Sequence, residues 1–161
     1  MPPDTNFSTT TAGTRHAFAA RTAKHEAALA IGIDDAFISA LVDRFYDSVR
    51  DDDLLGPIFA ARISDWSTHL GRMKSFWSSV LHNSGAYSGS PMLKHVAIPG
   101  LDRSHFDRWL TLFRATLDDL ARDPAAASHV EERARMIATS LLNGIVIKRD
   151  GLAAAQGLED F

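Results

Sequence analysis

Four stretches of the chain repeat large apolar residues every three or four positions, which is the spacing of one face of an α-helix. They run from Phe37 to Val49, from Trp66 to Leu81, from Phe106 to Leu120 and from Val130 to Val146. No segment alternates apolar and polar residues in the way of a half-buried strand. The pattern therefore predicts an all-α fold with four principal helices around a common core.

Length and charge limit the kind of protein this can be. The chain has 161 residues, 45% of them hydrophobic, which suits one domain with a sizeable core. A net charge of −3 gives no indication of a nucleic-acid partner. With no cysteine, the chain has no disulfide, no thiolate ligand and no thioether link to a cofactor. We expect a cytoplasmic monomer that associates with neither nucleic acid nor membrane, since no apolar run approaches the roughly 20 residues of a membrane span.

The ends of the chain differ in composition from its middle. Residues 1–13 are rich in Pro, Ser and Thr and are predicted to be a disordered extension, with an organelle transit peptide as the alternative. Residues 14–31 are rich in alanine and charged residues and are predicted to form an extra N-terminal helix. The compact domain is predicted to span residues 32–150, followed by a flexible tail at 151–161 that contains two glycines.

Two histidines stand out because of the elements that carry them. His69 lies on the apolar face of the second helical stretch, near a start that Ser64 or Asp65 could cap. His95 lies on a short segment between Pro91 and Pro99, which permit at most about two turns of helix. An imidazole there could bind a metal through one ring nitrogen while the other donates to a nearby carbonyl. A lone histidine on a helix is usually structural, but this pair suggests two imidazoles facing each other across a flat cofactor.

Two other aromatic residues are ambiguous from the sequence alone. Tyr46 belongs to the apolar stripe of the first helical stretch, so its hydroxyl must either bond to backbone or point into a polar pocket. Trp109 is either a core residue or a donor to a bound ligand through its indole N–H. The acidic run 51–53 is interpreted as a solvated turn, because the alternating spacing of cation ligands is absent. Residues 56–59, Gly-Pro-Ile-Phe, are predicted to form a tight corner that ends in a large ring.

Other common sites find no support in the sequence. There is no Gly-rich phosphate loop and no arguable Ser-His-Asp order. Zinc is poorly supported, since the histidines lack paired i, i+4 spacing and there is no cysteine.

A set of short motifs nevertheless occurs in a distinctive order and spacing. They are Phe45-Tyr46-Asp47-Ser48-Val49-Arg50, Leu55-Gly56-Pro57-Ile58-Phe59, Trp66-Ser67-Thr68-His69, Phe76-Trp77, Tyr87-Ser88-Gly89-Ser90-Pro91, Lys94-His95 and His105-Phe106-Asp107-Arg108-Trp109. Together they resemble the third group of truncated haemoglobins over residues 34–148. The absence of a Gly-Gly pair fits that group as well.

The resemblance implies a shortened globin fold, in which a two-over-two helical sandwich surrounds a non-covalent b-type haem, here with an N-terminal extension. His95 matches the proximal iron ligand, and Tyr46, His69 and Trp109 match the distal residues. The remaining cofactor-binding residues that it implies are Phe59 on the porphyrin, Met73, Phe76 and Trp77 in the pocket wall, Met92, Ile98 and Phe106 on the other side, and Arg72 at a propionate.

Three functions compete on this basis. The first is a haem protein that binds O₂ or another small ligand reversibly at the Tyr, His and Trp pocket. The second is a haem redox enzyme that turns over NO with O₂, or uses peroxide, with electrons from an external reductase. The third is a cofactor-free helical interaction module. In either haem protein His69 has three possible roles: it donates to the ligand, gates the pocket or binds the iron itself.

Overall fold

The computed structural model describes residues 8–151, with side chains from residue 13 onward. In that range the chain is entirely helical apart from its connections, which confirms the predicted all-α class. The helices are α1 (Ser8–Ala30), α2 (Asp35–Asp51), α3 (Gly56–Arg62), α4 (Trp66–His82), α5 (Pro91–Val96), α6 (Arg103–Leu120) and α7 (Pro124–Asp150).

Two pairs of helices make up the body of the fold. α2 packs on α4, α6 packs on α7, and α2 also packs on α6, so that one pair lies over the other. Asp34 begins α2 by accepting a hydrogen bond from the Phe37 amide at 2.8 Å. The apolar stripes meet in a core whose largest fully buried rings are Phe45 and Phe113. The arrangement agrees with the expected two-over-two sandwich.

The N-terminal helix is longer than the sequence predicts. α1 begins at Ser8, six residues before the start predicted at 14, so residues 8–13 belong to a helix and not to a disordered extension. Ala28 is its one buried residue among those whose side chains are described. The His25 ring lies 4.4 Å from that of His82 at the end of α4. The rest of the predicted extension, and the tail beyond 151, fall outside the described residues.

The connection between α2 and α3 departs from the prediction in two ways. The corner at 56–59 is the start of a seven-residue helix, α3. The acidic run before it is not uniformly solvated, because the Asp52 side chain is only 2% exposed and pairs with Arg108. The prediction of a solvated turn is therefore wrong for Asp52. Its two neighbours, Asp51 and Asp53, are exposed as expected.

The short helix α5 packs on α7 and stands apart from α4. The Met92 side chain fills the space that a Cβ on Gly144 of α7 would occupy, so a larger residue at position 144 would require the Met92 side chain to move. Within the described chain, α4 and α5 do not pack extensively on each other. Instead, α4 packs on α1 and α2, and α5 packs on α7. This leaves a gap between the two histidine-bearing helices. The helices of residues 8–151 are all too short or too polar to cross a bilayer.

Candidate functional site

His95 lies in the last turn of α5 with one ring nitrogen already engaged. Its Nδ1 lies 2.7 Å from the Pro91 carbonyl oxygen, one helical turn earlier, so Nδ1–H donates to that oxygen. This bond fixes the tautomer and leaves the Nε2 lone pair available. The geometry matches the expectation that one ring nitrogen donates to a carbonyl while the other can bind a metal.

His69 lies on α4, which borders the same cavity as α5. Asp65 caps α4 by accepting a hydrogen bond from the Thr68 amide at 3.2 Å, which sets the helix start one turn before His69. The His69 Nε2 atom is buried and has no hydrogen-bond partner within the part of the chain that the structure describes. A buried polar atom without a partner is costly, so its presence points to a group that binds there.

A cluster of aromatic rings surrounds His69. Tyr46 meets it edge to face with ring centroids 5.0 Å apart. Phe59 of α3 lies 5.8 Å from the Tyr46 ring. Trp66 lies 5.7 Å from the His69 ring and carries the Arg50 guanidinium 4.4 Å from its own ring centroid. The structure thus brings Tyr46 and His69 of the predicted distal set together with Phe59, and it adds Trp66.

Trp109 is connected to this cluster through the core. Its ring lies 5.2 Å from Phe45, which in turn lies 5.0 Å from Tyr46. It also stacks on Phe113 at 5.0 Å with an interplanar angle of 8°. Trp77 stacks on Phe113 as well, and at 3% exposure it belongs to the core between α4 and α6 more than to an open pocket wall.

The other predicted cofactor-binding residues fall on the elements that border the gap. Each is half-buried except Phe106, which is buried, and Arg72, which is exposed. On the α4 side, Phe76 meets the Tyr87 ring edge to face at 5.3 Å. The residues packed against the core in these positions are Met73 and Phe76 on α4, Met92 on α5, Ile98 after it, and Phe106 on α6.

The mouth of the gap is open and cationic. A cavity of about 560 Å³ lies between α4, the 83–90 connection and α5. Arg72 lines it as expected, and Lys94 faces it from α5. Hydroxyl groups complete the lining, from Thr68, Ser75, Tyr87 and Ser88. Two cations and several hydroxyls can bind carboxylates.

The environment sets the protonation of the three central groups. Burial raises the pKa of the Tyr46 hydroxyl, so it remains an O–H donor at neutral pH. Burial lowers the pKa of His69 below its usual value, and the charges of Lys94 and Arg72 lower it further. Burial also lowers the pKa of His95, and this outweighs the opposing effect of its hydrogen bond to Pro91. Both imidazoles are therefore neutral near pH 7, as metal binding requires.

These shifts predict how stability changes with pH. Because the pKa values of His69 and His95 lie below 6.5 in the folded state, the unfolded chain binds more protons between those values and about 6.5. We expect the free energy of unfolding of the haem-free protein to fall as the pH drops through this window. Urea titrations at pH 7.5 and 5.5 measure the change. In a His69→Gln/His95→Gln variant the free energy of unfolding should fall less between these two pH values. An equal fall in the native protein and the variant would contradict the lowered pKa values of His69 and His95.

Comparison with known proteins identifies the family and supports the fold. A family model described as bacterial-like globin matches residues 29–143, most of the chain. The chain belongs to the bacterial-like globin family. This globin is 33% identical over 115 residues to a group 3 truncated hemoglobin of Campylobacter jejuni. The alignment covers 69% of this chain and 90% of the relative. It is 28% identical over 116 residues to a group 2 truncated hemoglobin of Bacillus subtilis, covering 69% of this chain and 85% of that protein.

The solved structures agree with the sequence relatives. The globin resembles the crystal structure of the group III truncated hemoglobin from Campylobacter jejuni with a TM-score of 0.67 and 32% identity, over 70% of this chain and 91% of the other. The resemblance proposed from the motifs is confirmed, and family membership implies a haem-binding globin. The matched region begins at residue 29, so nearly all of α1 precedes it.

Sequence reasoning missed three residues at the site. The sequence does indicate a place for Trp66 at the site, because Trp66 lies three positions before His69 and therefore shares its helix face. Lys94 directly precedes His95, and Tyr87 lies in the connection that leads to α5. Their place at the mouth depends on how α5 sits against the 83–90 connection, which local spacing does not reveal.

Proposed function

We propose that this globin binds one non-covalent haem b between α4 and α5 and takes up O₂ or another small ligand beside Tyr46, His69 and Trp109. The observation that carries the proposal is the pair of imidazoles on α4 and α5. His95 on α5 has its Nδ1 engaged with Pro91, which leaves the Nε2 lone pair available. His69 on α4 has a buried Nε2 without a hydrogen-bond partner among the described residues. These donors fit an iron porphyrin, whose iron supplies one coordination position to the protein and one to a ligand.

The chain offers contacts for every part of such a cofactor. His95 would hold the iron, with its ring orientation fixed by Pro91. Arg72 and Lys94 at the open mouth would pair with the propionates. The half-buried apolar side chains of Met73, Phe76, Met92 and Ile98 would cover the ring faces. The chain has no cysteine for a thioether link, so apolar burial and these polar contacts would hold a non-covalent haem.

The distal side is built from hydrogen-bond donors. Tyr46 keeps its O–H because burial raises its pKa, and its ring is held by Phe45, Phe59 and His69. Trp109 contributes an indole N–H from a ring fixed by stacking on Phe113. Donors held in a buried pocket favour a ligand that accepts hydrogen bonds, such as O₂, over one that accepts them poorly, such as CO. Slow ligand release is the expected property.

Absorbance spectroscopy tests the proposal directly. We expect purified protein, or protein reconstituted with haemin, to show an intense absorbance band at about 400 nm and to contain about one haem per chain. The ferric and ferrous spectra also report whether His69 occupies the iron. A protein that shows no such band after haemin addition and gel filtration would be a cofactor-free helical module, and the proposal would be wrong.

A further inference from the structure

The buried carboxylate of Asp52 lies where three helices of the distal side converge. It directly follows α2, precedes α3 and contacts α6, although none of the proposed ligand-binding residues is next to it in sequence. Its side chain is 2% exposed, whereas the side chain of its partner Arg108 is 48% exposed. A charge so deeply buried is retained only where it is paired and hydrogen-bonded.

Both oxygens of this carboxylate are fully used. Oδ2 accepts hydrogen bonds from the backbone amides of Leu54 and Leu55, immediately before α3, at 3.1 and 2.9 Å. Oδ1 accepts a hydrogen bond from Nε of Arg108 at 2.6 Å and lies 2.6 Å from Nη2 of the same side chain. The hydrogen bond from Arg108 is the main reason that the pKa of Asp52 lies below its usual range, despite burial. Asp52 therefore stays ionised at neutral pH and ties the α2–α3 corner to α6.

Asp52 holds the start of α3 through both its backbone and its side chain. The N-cap residue of α3, Leu55, makes no side-chain capping hydrogen bond, and the Gly56 amide donates to the Asp52 carbonyl oxygen at 2.8 Å. Gly56 approaches α2 so closely that a Cβ would lie 2.8 Å from the Arg50 carbonyl oxygen. The two Asp52 bonds to Leu54 and Leu55 thus take the place of a cap and fix the direction in which α3 leaves, and with it the ring of Phe59.

The same pair fixes the rotation of α6. Arg108 and Trp109 are consecutive, and consecutive residues of an α-helix point about 100° apart. Holding the Arg108 guanidinium at the end of α2 therefore sets where the Trp109 ring points. That ring meets Phe45, the immediate neighbour of Tyr46. We infer that Asp52 and Arg108 are positioning residues that hold Tyr46 and Phe59 on one side, and Trp109 on the other, at the separation a bound ligand requires.

The inference rests on the proposed ligand-binding function and is tested with Arg108→Lys, whose single ammonium cannot reproduce the two-nitrogen contact. We expect O₂ release from the ferrous haem-loaded protein to accelerate about threefold to tenfold, because the donors are displaced and not removed. The C–O stretching frequency of the CO adduct should shift as well. Near-ultraviolet circular dichroism of the haem-free protein, which reports packing of the tryptophan rings, should change without any cofactor.

The matched control is Arg114→Lys on the same helix. Arg114 pairs with Glu131 of α7 and with Asp118, so it anchors α6 without touching the α2–α3 corner. This variant is expected to leave O₂ release, the CO frequency and the dichroism unchanged, even if its unfolding free energy falls. Asp52→Asn is the second test variant and should behave as Arg108→Lys does. Asparagine has a single side-chain oxygen, so it cannot accept from all four N–H groups that contact the two oxygens of Asp52.

The outcomes separate this inference from the proposed function. If native protein takes up no haem, the proposed function fails, while the dichroism of the haem-free variants still reports whether the ion pair positions Trp109. If haem binds and Arg108→Lys folds with release rate, CO frequency and dichroism equal to native, the positioning role is refuted. Should Asp52→Asn fail to fold, Arg108→Lys alone decides, because it keeps a positive charge opposite the buried carboxylate.

Discussion

Replacing His95 by glycine should remove most of the haem from this globin. The imidazole is the one side chain on α5 expected to bind the iron, and its ring is already aimed by the 2.7 Å contact with the Pro91 carbonyl. Loss of a metal ligand should weaken retention by about a hundredfold or more, given that loss of a ligand's hydrogen-bond partner alone costs about tenfold to a hundredfold. Transfer of haem to an excess of apomyoglobin, followed by absorbance, measures the retention.

Two additions make the His95 experiment decisive. Glycine leaves a cavity where the ring was, so added imidazole should enter it and restore the native spectrum in part. His16→Gly is the control, because His16 is exposed on α1 and lies outside the matched globin region. Equal retention and an unaltered spectrum in His95→Gly would show that another residue holds the iron.

Much of the fold could be predicted because its determinants are local. Apolar residues at helical spacing set α2, α4, α6 and α7, and an aspartate directly before each of these helices caps its start. The start of α1 was missed because the Ser and Thr residues around positions 8–11 are poor helix formers. α3 was missed because Gly-Pro usually marks a turn, whereas here Pro57 occupies the first turn of a short helix.

In the candidate site, too, the features set by local sequence could be predicted and those set by long-range packing could not. The free Nε2 of His95 follows from local spacing, since Pro91 lies one helical turn earlier and offers its carbonyl. The burial of Asp52 does not follow from any local pattern, because its partner Arg108 is 56 positions away in the chain. Trp77 shares a helix face with the pocket residues, and its place in the core depends on Phe113 of another helix. Long-range packing therefore accounts for the places of Asp52 and Trp77, which differ from expectation.

Removing the Tyr46 hydroxyl should have the largest effect on ligand release. Tyr46→Phe keeps the ring that packs on Phe45, Phe59 and His69, and deletes only the donor. Because burial raises the pKa of that hydroxyl, the donor is present across the neutral range, and its loss is not masked by ionisation. A hydrogen bond of about 1 kcal/mol or more in a buried pocket corresponds to O₂ release on the order of tenfold faster. Stopped-flow displacement of O₂ by CO from the ferrous protein measures the rate.

The second tyrosine of the chain supplies the control for this experiment. Tyr87 is one of only two tyrosines and lines the mouth of the gap, where its ring meets Phe76. Tyr87→Phe deletes the same atom outside the distal cluster, so it should leave O₂ release close to native. Trp109→Phe removes the other proposed donor and should accelerate release in the same direction as Tyr46→Phe. If neither distal variant changes the rate, the donors that hold the ligand lie elsewhere and the distal assignment of Tyr46 and Trp109 fails.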